Sequence, residues 1–309
     1  MSDKSERLTV FKTYKLYVGG KFPRSESGRV YEVTTATSAA AAAGKGKWLA
    51  NAPLASRKDA RDAVVAARKA FGGWSTATAY LRGQILYRVA EMLEGRRDQF
   101  VREVAEAEGL SKSKAAAVVD AAIDRWVWYA GWTDKITQVV GGANPVAGPY
   151  FNLSTPEPTG VVTVIAPQES SFLGLVSVIA PVIAAGNTAV VIASEKSPLP
   201  ALSLGEVLAT SDLPGGVVNV LSGRTAELAL PLAAHQDVNG LDLAGADADL
   251  AKDLEIAAAD NLKRVLRPQA VDTDADFSTA PGTHRLTTFL ETKTVWHPTG
   301  SLGASGSAY

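Results

Sequence analysis

Residues 178–220 read VIAPVIAAGNTAVVIASEKSPLPALSLGEVLATSDLPGGVVNV, and the fold turns on how that stretch divides. TAVVIA (188–193) is a short apolar run rich in β-branched residues, and similar runs recur at VVTVI (161–165), VVNVL (217–221) and LDLA (241–244). Strands that are apolar at every position, without alternation, suit a parallel sheet covered on both faces. Helical segments fit between and beside them at 172–185, 198–210, 224–234 and 247–259. Strand and helix alternate, so the expected class is α/β: a doubly wound, Rossmann-like parallel sheet.

Upstream, the texture is helical. YKLYVGGKFPRSESGRVY (14–31) reads as a small β-hairpin turning at Gly19-Gly20. Residues 36–47 are of low complexity and read as a mobile loop. A helix fits 56–72, with Ser56 as N-cap, the stripe Ala60, Val64, Ala67, Phe71, and a stop at Gly72-Gly73. Further helices fit 79–94, 97–108 and 112–138, the last carrying Trp126, Trp128, Tyr129 and Trp132 as packing residues. An extended piece, Tyr150 to Ser154, lies between Gly/Pro-rich flanks. After Leu266 an acidic, turn-rich segment reads as a linker, and RLTTFLETKTVWHP returns to strand before a Gly/Ser tail.

Composition narrows the function classes. Hydrophobic residues make up 46% and charged residues 20%, enough to bury a core. A formal net charge of −1 with dispersed Lys and Arg argues against a nucleic-acid partner. No apolar run is long enough to span a bilayer, and the N-terminus lacks a signal-peptide pattern, so a cytoplasmic location is expected. There is no cysteine, which removes disulfides and thiolate metal ligands. His235, His284 and His297 stand apart without metal-ligand spacing, so no metal site is expected.

Taken together, V-I-A-P (164–167), A-P-x-x-A-A-G-N-T (180–188), S-E (194–195) and L-P-x-G-V-V-N-V (213–220) resemble the aldehyde dehydrogenase superfamily. SRKDARDAVVAARKAF (56–71), GQILYRVAEMLEGRRDQF (83–100), AAADNLKRV (257–265) and ETKTVWHP (291–298) add to the likeness. The resemblance implies helices of a nucleotide-binding domain over 1–140, oligomerisation strands over 141–159 and the nucleotide-binding core over 160–266. It implies a linker over 267–282 where the family has its catalytic domain, and a C-terminal oligomerisation strand and tail over 283–309. It also implies NAD or NADP against Ile165, Ala166, Pro167, Ser194, Glu195, Gly245 and Ala246.

The departures from the family pattern weaken that site. Where the family has Pro-Trp-Asn, whose amide donates to the oxyanion, this chain has Pro167-Gln168-Glu169. An ionised carboxylate only accepts hydrogen bonds and repels a developing oxyanion. Ile192 stands where the family has a ribose-binding Lys, and Asp247 and Asp249 stand in its phosphate-binding turn. They either compete with phosphate or cap their own helix. Cofactor binding is therefore expected to be weak and the chain catalytically inactive.

The resemblance further places Tyr150, Phe151, Leu153, Phe289, Leu290, Val295 and Trp296 at an oligomer interface. One expected partner is a full-length aldehyde dehydrogenase subunit, the chain serving as its structural or regulatory subunit. Two alternatives stand beside it: a homodimeric nucleotide-binding protein whose tail folds back on its own domain, and a divergent oxidoreductase using Glu169 with Ser170 or Ser171.

Overall fold

In the computed structural model, residues 8, 10–36, 46–268, 277 and 279–299 are described. The core is a five-stranded parallel sheet of β5 (Val161–Ile165), β6 (Thr188–Ile192), β7 (Val218–Leu221), β8 (Gly240–Asp242) and β9 (Arg264–Leu266), ordered β7-β6-β5-β8-β9. The order reverses direction from β5, giving the doubly wound arrangement expected. Every residue of β5, β6 and β7 is buried. Alternate residues nevertheless enter different cores. Val162, Val164, Ala189 and Val191 join one, while Val161, Ile165, Val190 and Ile192 join the other. The first core holds α6 (Leu173–Ala184) and α7 (Leu199–Leu208), backed by α2 (Ala79–Glu94), α3 (Arg97–Glu108) and α4 (Lys112–Ala130). The second holds α1 (Arg57–Thr76), α8 (Thr225–Ala233) and α9 (Ala248–Ala258).

Several sequence expectations are corrected. Helix α1 runs through Gly72-Gly73 to Thr76. Two glycines cost a helix about 1 kcal/mol each. Buried Trp74, whose Nε1 donates to Ile183 O at 3.0 Å, anchors the last turn against that cost. The long helix expected over 112–138 stops at Ala130. Tighter bonds take over, Trp132 N to Tyr129 O at 3.1 Å and Lys135 N to Trp132 O at 3.0 Å, before the short α5 (Ile136–Val140). Of its aromatics, Trp126 and Tyr129 are buried in the core.

The expected hairpin over 14–31 shrinks to a tight turn. Val18 and Lys21 exchange bonds across Gly19-Gly20, both at positive φ. Tyr17 then bridges Val220 antiparallel, which covers the outer edge of β7. A pair that the sequence did not suggest, β1 (Val30–Thr34) with β2 (Trp48–Pro53), follows. Most of the loop expected over 36–47, most of the linker and the Gly/Ser tail lie outside the described residues.

A separate three-stranded antiparallel sheet is ordered β10-β4-β3, from β3 (Gly142–Asn144), β4 (Tyr150–Pro158) and β10 (Leu290–Pro298). The C-terminal strand thus pairs with its own chain, from Leu290 opposite Pro158 to Pro298 opposite Tyr150. The turn before it is fastened to the core. Phe289 O accepts from Asn187 Nδ2 at 2.9 Å and Thr159 N at 3.2 Å. The Phe289 ring lies where a Cβ on Gly240 would sit, 2.7 Å away, which is why β8 begins with glycine.

The chain crosses from β9 to this sheet through a short helix, α10 (His284–Thr288). Arg285 of α10 pairs with the fully buried Asp242 of β8. Arg125 of α4 donates to Phe277 O and Thr279 O at 2.7 and 2.8 Å, and to Ser177 Oγ. Burial pushes Tyr129 up to about 12. Its hydroxyl donates to Gly282 O at 3.4 Å.

Candidate functional site

Ligands of open α/β sheets bind beyond the carboxyl ends of the strands, where the strand order reverses. The order reverses between β5 and β8, and beside that point, beyond the carboxyl ends of β5, β6 and β7, opens a cleft of about 790 Å³ bounded by Tyr31, Glu32, Glu108, Gln168, Glu195 and Arg224 among others. Strand β1 and the residues that follow it form one wall, and the loops leaving β5 and β6 form the floor. Gln168 knits those loops together: its Nε2 donates to Ala166 O at 2.9 Å, and its Oε1 accepts from Glu195 N at 2.9 Å. Ser194 is buried and donates to Gln168 O at 2.8 Å.

Charges in the cleft are largely paired. Glu169 bonds Lys196. Glu195 takes Arg224 at 2.5 Å and the backbone N of Thr225 at 3.0 Å. Arg224 also lies over the Tyr31 ring at 5.8 Å. Burial, with Glu195 nearby, holds the Tyr31 phenol well above its ordinary range, and its hydroxyl has no hydrogen-bond partner among the described residues. Ser170 Oγ accepts from Gly174 N at 2.9 Å. Ser171 Oγ donates to Glu108 at 2.7 Å. Both serines are nearly inaccessible and neither touches a histidine or lysine base, so neither is an activated nucleophile.

Of the residues expected to meet a cofactor, Ile165, Ala166 and Pro167 are buried in the β5 exit. Gly245 packs on them, donating to Ile165 O at 2.9 Å. A Cβ there would lie 1.9 Å from Ala166 O, so only glycine fits. Ala246 is half-buried beside it. Asp247 caps α9 itself, Oδ1 accepting from Leu250 N at 2.8 Å, and Asp249 follows in the first turn. A pyrophosphate would meet two carboxylates at that helix end, and its residues do not fit the group.

The interface residues divide. Tyr150, Phe151 and Trp296 are exposed, and Leu153 and Val295 are half-buried. Phe289 and Leu290 are buried in the chain's own core and offer no outer surface. His235, His284 and His297 are not brought together, and no metal-ligating cluster occurs among the described residues. Sequence reading missed Glu108, Lys196, Arg224 and Tyr31. Their partners lie far off in the chain, and no local pattern marks them. No helix among the described residues is long and apolar enough to cross a membrane.

Residues 32–278 match the profile of the aldehyde dehydrogenase family. Retinal dehydrogenase 2 of Homo sapiens is 32% identical over 280 residues, covering 86% of this chain and 51% of that protein. Aldehyde dehydrogenase, cytosolic 1 of Elephantulus edwardii is 31% identical over 278 residues, with 86% and 53% covered. The solved structure of HpcC from Thermus thermophilus superposes with a TM-score of 0.76 at 29% identity, over 82% of this chain and 47% of that one. PnpE, solved in complex with nicotinamide adenine dinucleotide, gives 0.75 at 28% identity, over 82% and 50%. The chain spans about half the length of the relatives it matches.

Proposed function

The chain belongs to the aldehyde dehydrogenase family, and on that premise we propose that it is a non-catalytic member, a structural or regulatory subunit for a full-length aldehyde dehydrogenase. The observation that carries the reading is the reactive corner of the cleft. Glu169, bound to Lys196, stands there in a sequence without a cysteine. Acyl transfer through a covalent intermediate needs a nucleophile, a base and an oxyanion donor. An ionised carboxylate cannot donate a hydrogen bond to an oxyanion, and no cysteine stands in the sequence to attack.

The residues expected to meet a cofactor support the same reading. Glu195 is already engaged by Arg224 and Thr225 N, and Asp247 fills its own helix end. Each lost charge-assisted contact costs about 1.5–3 kcal/mol. NAD and NADP therefore bind weakly in this proposal, and no reaction step runs through them.

The partner is drawn to the three-stranded sheet. Tyr150 and Trp296 meet edge-on at 5.8 Å on its exposed surface, and among the described residues no strand pairs with the outer edge of β10. Exposed aromatics beside an unpaired strand edge suit strand addition by another sheet. Self-association is the second reading, because β10 already folds back on β4 of its own chain.

Size-exclusion chromatography with light scattering tests this, on the chain alone and co-expressed with a full-length aldehyde dehydrogenase. A stable mixed complex is expected. A homodimer indifferent to the larger subunit would overturn the partner. Turnover of an aldehyde by the purified chain alone would overturn the non-catalytic assignment.

A further inference from the structure

A second cleft, of about 350 Å³, lies away from the sheet crevice, between the N-terminal arm and the β1–β2 pair. Its walls carry Phe11, Arg24, Arg29 and Trp48. Phe11 and Trp48 meet edge-on at 5.2 Å, yet they stay 62% and 38% exposed. The loop that carries the arginines is held rigidly from below. Asp59, buried at the start of α1, accepts from Ser25 Oγ and Glu26 N at 3.0 Å and from Ser56 N at 2.8 Å. Gly28, at positive φ, closes a turn onto Ser25 O at 2.9 Å. The arm is tied on the far side, where Lys12 binds Ser203 at 2.8 Å and Glu206 at 3.0 Å.

The nearby charges are therefore spoken for, with two exceptions. Asp59, Glu26 and Lys12 all have partners within the fold. Arg24 and Arg29 make no side-chain hydrogen bond or ion pair among the described residues. A guanidinium presents a planar fork matched to carboxylate or phosphate oxygens. An exposed aromatic pair offers faces and edges to another ring. We propose that this cleft binds a small anion carrying an aromatic ring, the anionic group on Arg24 and Arg29 and the ring against Phe11 and Trp48. Aromatic carboxylates and nucleoside monophosphates share that chemistry.

Isothermal titration of the full chain at 0.15 M salt, with phenylacetate and with adenosine monophosphate, tests the site and separates the two sources. At least one is expected to bind with a Kd below about 1 mM. The double variant Arg24→Ala, Arg29→Ala should lose at least about tenfold in affinity. Both side chains are exposed, so circular dichroism should show the fold unchanged. Trp48→Ala should weaken the aromatic ligands while leaving the much weaker binding of acetate or inorganic phosphate as it was. Glu195→Ala, in the sheet crevice, should change nothing. The proposal falls if neither ligand binds below about 10 mM. It falls equally if the double arginine variant binds like the parent, if Glu195→Ala abolishes binding, or if acetate and phosphate bind as tightly as their aromatic counterparts.

Discussion

The two sheets of this molecule are built on opposite terms. In the parallel sheet, β5, β6 and β7 are buried at every position, and helices cover both faces. In the antiparallel sheet, all of β3 and most of β10 are exposed, and only Asn152 and Leu290 of its strands are buried. The first is stabilised by its own chain, at about 25 cal/mol per Å² of apolar surface removed from water. The second is held at its root by Asn187, Phe289 and the Arg264–Glu291 pair, and it presents aromatic surface outward. A region that the chain does not cover is where another surface gains most by docking.

The contrast can be broken at four points. The largest effect is expected in the buried half. Phe172 is fully buried and stacks on Phe100 at 4.7 Å. Phe172→Ala should cost about 3–5 kcal/mol in urea unfolding, and a loss below about 1 kcal/mol would show that this core is loosely packed.

Next comes the crossing between the sheets. Arg285→Met removes the cation beside the buried Asp242 and should cost about 3 kcal/mol. Adding Asp242→Asn should recover much of that loss in a double-mutant cycle. Additive losses would mean that the pair is not coupled.

In the exposed half the sign of the contrast reverses. Trp296→Ala should change the stability of the isolated chain by less than about 0.5 kcal/mol. It should weaken a mixed complex by about 2 kcal/mol or more, read by light scattering or calorimetry. Equal effects on both would make Trp296 an ordinary packing residue.

The smallest effect lies at the root of the exposed sheet. Arg264 forks onto Glu291 at 2.7 Å through both nitrogens, which lowers the Glu291 pKa. A lowered folded-state value means that the stabilisation is present above the unfolded pKa of about 4.3 and is lost as pH falls below it. Both side chains are largely exposed, so the contribution is under about 1 kcal/mol. Glu291→Gln should remove that acid limb, and hydrogen exchange of β10 should speed up without a change in the parallel sheet. An unchanged acid limb in the variant would assign it to other carboxylates.

What could be read early and what could not follows the same division. The runs at 161–165, 188–193 and 217–221 announced themselves because burial on both faces leaves no place for polar residues. β1 escaped because VYEVT is mostly exposed and pairs with β2 across a long intervening segment. Gly72-Gly73 looked like a stop, but Trp74 just beyond them is a core anchor that only packing reveals. At the site, the family pattern pointed to Glu169 and Glu195. Lys196 and Arg224 became their partners only once separate loops were folded onto one crevice.

By itself the sequence determined the α/β class, the absence of cysteine from these 309 residues and the acids at the start of α9, because composition and short-range periodicity are properties of neighbours along the chain. Tertiary structure decided that β10 returns to β4, that Phe289 and Leu290 turn inward while Trp296 turns out, and that Tyr17 closes the edge of β7. The reason is physical. Alternation along a strand tells which residues share a face. The choice of pairing partner is made by hydrogen bonds between distant segments, and nothing local encodes it.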